Sequence, residues 1–205
     1  MRAGIAVVAA IGVVAGLGPA TASGAARCSA KGAQVLARSG TALLLARPYG
    51  NDDLYGPGTL VTTCRKGRRP VVLLRAEPGV ALTFSHGAFA PGYVAFARSS
   101  TSSMCTKYLG DDPQCRSAGV TSYNRRTGKL RASGEGRADV LVVTPAGWLA
   151  WLSPADASGS RTLQAVDSAG SRVLAGGAID PASVRASGAT VTWTLAGVGA
   201  SATLS

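Results

Sequence analysis

The chain has 205 residues and a formal net charge of +11, from 21 Lys and Arg against 10 Asp and Glu. Only 5% of it is aromatic although 46% is hydrophobic, so a core must be assembled from Val, Leu and Ala. A single histidine and four cysteines without a CxxC pair leave no zinc site to assemble, and the excess of base favours anionic partners over cationic ones.

The N-terminus reads as a targeting segment. Arg2 supplies the positive start, residues 5–17 form a short apolar run, and Ala20-Thr21-Ala22 offers a small-x-small cleavage pattern. Residues 1–22 are therefore expected to be a signal peptide, and 23–205 a single all-β domain. Arg27 before Cys28 argues against a lipid-modified cysteine. No later stretch is long and apolar enough for a membrane helix. The expected location is outside the cytoplasm, either secreted or held at the cell envelope.

The rest of the chain alternates with period two and is punctuated by Gly, Pro, Ser and Asn, with no sustained helical stripe. Four times a glycine turn leads into an apolar strand: Gly40 to Leu43 and Leu45, Gly92 to Val94 and Phe96, Gly147 to Leu149 and Trp151, and Gly188 to Val191 and Trp193. After the first three, a second hairpin follows at 60–74, 119–132 and 162–175, turning at Gly67, Gly128 and Gly170. Each unit is a four-stranded meander, A to D, and the units fall near 33–75, 80–132, 139–176 and 182–204. A four-stranded unit repeating at this spacing predicts a small propeller-like array, because one such sheet cannot bury both faces alone. A β-sandwich is the alternative. The fourth unit has only a stub of C and no D. Residues 25–32 are the expected closing strand, which would hide the exposed edge.

Four cysteines in a secreted chain read as two disulfides, with three pairings open. Cys105 and Cys115 share one loop; closing it leaves Cys28 to tie the N-terminal segment to Cys64 in the first unit.

Alternate turns of a meander lie on the same side. The C–D turns carry Arg65, Lys66, Arg68 and Arg69 in unit one, Arg125, Arg126 and Lys129 in unit two, and Arg172 in unit three. Of the acids, only Asp167 falls on this face. Asp52, Asp53, Asp111, Asp112 and Asp156 fall in B–C loops, and Glu77, Glu135, Asp139 and Asp180 in D–A loops. The resulting basic rim is the candidate ligand site. Arginine clusters suit phosphate or carboxylate polymers. No aromatics interleave with them to stack bases, so nucleic acid is not the expected partner.

The expected function is a secreted, non-catalytic binding or scaffold protein that contacts an anionic envelope polymer. Another envelope protein is a further possible partner. The alternative is a hydrolase using loop carboxylates such as Asp111 or Asp156. No cofactor or metal is expected: the oxygen-bearing turns at 51–53 and 110–112 lack calcium-loop spacing, and His86 has no nucleophile motif beside it.

The signal peptide, the paired cysteines of the first unit, the hairpins "YNRRTGKL" and "AVDSAGSRVL", and the stretch "TVTWTLAGVGASATL" together resemble small secreted proteins of actinobacteria with propeller-like repeats. That resemblance implies the same repeated β architecture and carries over no catalytic residue.

Overall fold

The computed structural model describes residues 28–52, 56–65, 68–102, 107 and 112–205. The signal-peptide expectation for 1–22 lies outside them, as do Lys66, Cys105, Asp53 and Asp111. The described chain is all-β, built as four antiparallel sheets in which neighbouring strands are consecutive in sequence. Sheet one holds β1 (Gln34–Ser39), β2 (Ala42–Asp52), β3 (Gly56–Arg65) and β4 (Val71–Ala76). Sheet two holds β5 (Val80–Ala90), β6 (Tyr93–Ser102), β7 (Arg116–Asn124) and β8 (Leu130–Glu135). Sheet three holds β9 (Val140–Val143), β10 (Leu149–Leu152), β11 (Arg161–Asp167) and β12 (Gly170–Gly177). Sheet four has three strands, β13 (Arg185–Ser187), β14 (Thr190–Leu195) and β15 (Val198–Thr203).

The sheets stack as a propeller-like array rather than as two facing layers. Their first strands run side by side, β1 next to β5, β5 next to β9 and β9 next to β13. Sequence alternation decides what faces what. On β6, Val94 and Phe96 point to sheet one and join a core with Leu44, Ala46, Val61 and Leu73. The intervening Ala95 and Ala97 point the other way, into a larger core shared by sheets two, three and four. All four are 0–2% exposed, so sheet two is buried on both sides. Phe96 stacks on Tyr123 at 5.5 Å and meets Phe84 edge-on at 5.9 Å. Full burial of such a side chain contributes about 1.5–3 kcal/mol. One unit later, Trp151 packs back onto β8, where a Cβ on Gly134 would lie 2.4 Å from the indole. Only glycine permits that approach.

The last strand of each complete unit carries a β-bulge at the same place. Val61 and Thr62 pair with Leu74 and Val72, leaving Leu73 extra. Ser122 and Tyr123 pair with Ala132 and Leu130, leaving Arg131 extra. Leu163 and Gln164 pair with Ala175 and Val173, leaving Leu174 extra. Leu73 and Leu174 spend the added residue on core packing, and Arg131 lies over the Trp148 ring at 3.7 Å. Bulges of this kind twist a strand away from regular pairing and blunt an outer edge. Strand β15 pairs with β14 in an unbroken register.

Residues 25–27 of the expected closing strand lie outside the described residues; for 28–32 the expectation needs correction. Cys28 is bonded to Cys64 on β3, the Ser29 carbonyl accepts from the Arg47 guanidinium, and Ala33 N–H donates to the Ala30 carbonyl in a turn. This anchored segment of Ser, Ala, Lys and Gly lies on sheet one, and among the described residues β15 has β14 as its one ladder partner. Cys115 is also disulfide-bonded. No helix among the described residues is long and apolar enough to cross a membrane.

Candidate anion-binding cleft

The turns between β3 and β4 and between β7 and β8 face each other across the junction of sheets one and two. Between them lies a cleft of about 970 Å³. Arg65, Arg68 and Arg69 line it from the first sheet, Arg125 and Arg126 from the second, and Pro91-Gly92 of the β5–β6 turn closes one side. Every charged residue among its described lining is an arginine. None of the five forms an ion pair with a described residue. Arg65, Arg68, Arg69 and Arg126 are exposed, and Arg125 is partly buried. Lys129 is exposed but lies outside the lining, and Lys66 is outside the described residues.

The second wall is held firmly. Asn124 ends β7, and its side-chain oxygen accepts from Arg126 N–H at 2.9 Å and Thr127 N–H at 3.0 Å, the local geometry that makes Asn a turn former. Gly128 N–H closes the turn onto the Asn124 carbonyl. Gly128 itself sits at φ +69°, and a Cβ there would lie 2.4 Å from the Val72 carbonyl oxygen on β4. This glycine therefore lets the turn of sheet two rest directly on sheet one. Arg125 is fixed twice more: its N–H donates to the Gly92 carbonyl, and its guanidinium carbon lies 5.5 Å from the Phe89 ring centroid.

The cost of this arrangement is electrostatic. Burial lowers the proton affinity of Arg125, and the charge of Arg65 lowers it further. Arginine remains cationic regardless, so two like charges are held within reach of each other. An anion between them offsets the repulsion between the two charges.

Arg172, the basic residue of the third C–D turn, is structural. Its guanidinium donates to Asp167 at 2.6 Å and to the Thr203 carbonyl. The Asp167 side chain is fully buried and also accepts from Ala169 and Ser205 N–H. Hydrogen bonding from Arg172 holds its carboxyl well below the usual carboxylate range, despite burial. The basic character of the rim is therefore concentrated where sheets one and two meet.

Three of the loop carboxylates, Asp156, Asp139 and Asp180, are committed elsewhere. Asp156 accepts from the Ser158 hydroxyl, Ser158 N–H and Ser160 N–H. These bonds lower its proton affinity, led by the Ser158 hydroxyl, opposite to what a general acid requires. Asp139 pairs with Arg161, and Asp180 caps the 181–183 turn through Ala182 N–H. His86 sits beside the β5 bulge opposite Ala97, with its Nδ1 buried and unbonded. No three His, Cys, Asp or Glu cluster as a metal site among the described residues.

A second cleft, about 710 Å³, opens over β7 and β8 on the other side, where Arg98, Arg116 and Arg137 share it with Glu135. Its mixed charge makes it the weaker anion site. Sequence reasoning found the arginines of the first cleft and the turns at Gly92 and Gly128, but not Phe89, nor that these glycines position the arginines. The glycine after "NRRT" was the available signal, since it was read only as a hairpin turn. No known protein-family model matches the chain, and no curated protein matches it either.

Proposed function

We propose that the chain is a non-catalytic binding or scaffold protein of the extracellular space or cell envelope, and that it engages anionic polymers through the cleft between sheets one and two. The observation that carries this reading is the convergence of five guanidiniums, from two different sheets and without an ion pair to any described residue, on a cleft whose described lining holds no acid. The Cys28–Cys64 disulfide fits an oxidising compartment. The resemblance to small secreted actinobacterial proteins belongs to the same reading.

The test is co-sedimentation of the oxidised protein with purified envelope polymers, and with DNA, at low and raised salt. Binding to anionic polymer should weaken as salt rises. It should be lost when Arg65, Arg68, Arg125 and Arg126 are replaced by Glu. No binding at any salt, or undiminished binding by the charge-reversed protein, refutes it.

A further inference from the structure

We propose that the cleft recognises phosphomonoester groups on its polymer in preference to phosphodiester or carboxylate groups, an inference that rests on the anionic-polymer reading. The two walls decide this. Arg65 stands on the first sheet and Arg125 on the second, so a bound anion meets guanidinium forks from two sides. One fork takes two oxygens of its partner. A carboxylate has only two oxygens, in one plane, and a phosphodiester keeps only two unesterified oxygens with a single charge. Either can meet both walls only by sharing its two oxygens between them, and it brings a single charge to two arginines. A phosphomonoester presents three oxygens tetrahedrally and carries about −1.5 to −2 charge at neutral pH. It can take a fork from each wall and neutralise two arginines at once.

The cleft is also prepared in advance. Asn124 and Gly128 fix the second turn, Phe89 and Gly92 hold Arg125, and the Arg65 carbonyl accepts from Arg68 N–H in the first turn. The second wall therefore needs little ordering on binding, which favours affinity, whereas the exposed side chains of Arg65, Arg68, Arg69 and Arg126 are ordered by the ligand. The mutual repulsion of Arg65 and Arg125 in the free protein is what a dianion removes most completely.

The experiment is calorimetric titration at fixed ionic strength with glucose 6-phosphate, dimethyl phosphate and glutarate, repeated between pH 5 and 7.5. Parallel flotation uses vesicles containing phosphatidate or phosphatidylglycerol. Glucose 6-phosphate should bind at least about tenfold more tightly than the diester or the carboxylate, equivalent to about 1.4 kcal/mol. Its affinity should rise with pH as the ligand loses its second proton near pH 6; the described lining holds no Asp, Glu or His. Binding to phosphatidate vesicles as well would extend recognition to lipid headgroups, whereas glucose 6-phosphate binding alone assigns a soluble or polymer-borne phosphate. Arg65→Gln and Arg125→Gln should each remove the preference. Arg65 is exposed, so its variant tests the idea even if the Phe89-supported Arg125 variant unfolds. Equal affinity for all three anions, a flat pH profile, or failure of both monoester probes while anionic polymers still co-sediment overturns the phosphomonoester inference alone. Failure of every probe and every polymer overturns the polymer reading with it.

Discussion

Removing the Cys28–Cys64 bond should cost about as much stability as opening a large cavity in the core of sheet one. The bond spans a sequence separation of 36. By loop-closure entropy a ring of that size restricts the unfolded chain by about 4 kcal/mol. For a chain of this size each kcal/mol moves the melting midpoint by about 2–4 °C, so the Cys28→Ala/Cys64→Ala double variant should melt roughly 8–16 °C lower. The native sheet should change little, because Cys64 is also held by its ladder pairing with Leu43 and Thr63 bonds the Leu43 carbonyl. The assay is calorimetry on the oxidised wild type and the double variant, with anion titration alongside. Alanine at both positions avoids reducing the second disulfide, which a thiol reagent would also break. A midpoint shift under about 3 °C would show that the unfolded chain gains little freedom, and would refute the loop-entropy reasoning. A full shift with lost anion binding would refute the claim that the ladder alone keeps the cleft wall in place.

Three other perturbations follow from the packing. Gly128→Ala puts a Cβ against the Val72 carbonyl at positive φ; it should destabilise by about 1–3 kcal/mol and weaken anion binding together, measured by urea unfolding and titration. Gly134→Ala drives a methyl into the Trp151 indole; a loss of about 1–3 kcal/mol and a changed tryptophan fluorescence are expected, with the cleft unaffected. Asp167 has a depressed folded-state pKa, so its contribution is complete above the unfolded carboxylate value of ~3.9 and disappears as pH falls through the lower folded value. Asp167→Asn should cost about 2 kcal/mol at neutral pH, since it weakens a charge-assisted bond to Arg172, and should flatten the acid limb of stability between wild type and variant.

Much of the architecture could be read from four glycines. Gly40, Gly92, Gly147 and Gly188 all adopt positive φ, and each precedes a strand whose apolar residues are buried. Turn chemistry and period-two alternation are local properties, so they survive in a single sequence. The bulges at Leu73, Arg131 and Leu174 were hidden, because one added residue looks like ordinary strand until its partner strand is known. The neutralisation of Arg172 was hidden for a related reason: Asp167 reads as a surface turn acid, while its burial depends on Ser205 and Thr203 arriving from sheet four. The expected closing strand is not formed by residues 28–32, which turn at Ala30–Ala33 and bond Arg47 of sheet one instead. Within the cleft, the arginines were legible from turn position. The ring and glycines that aim them belong to contacts between units.

The strictly sequential strand order has a kinetic consequence. Among the described residues every ladder joins strands adjacent in the chain, so each sheet can zip from its own hairpins without waiting for distant segments. Chains rich in such local pairings search less conformational space before their contacts begin to stabilise them, and they fold faster than all-β proteins with long-range pairing. Their slow step moves elsewhere, to the docking of finished sheets. Sheet two leaves the Val94–Phe96 face bare until sheet one is in place, and the Ala95–Ala97 face bare until sheet three follows. The cleft needs only the docking of sheets one and two, because both of its walls belong to them.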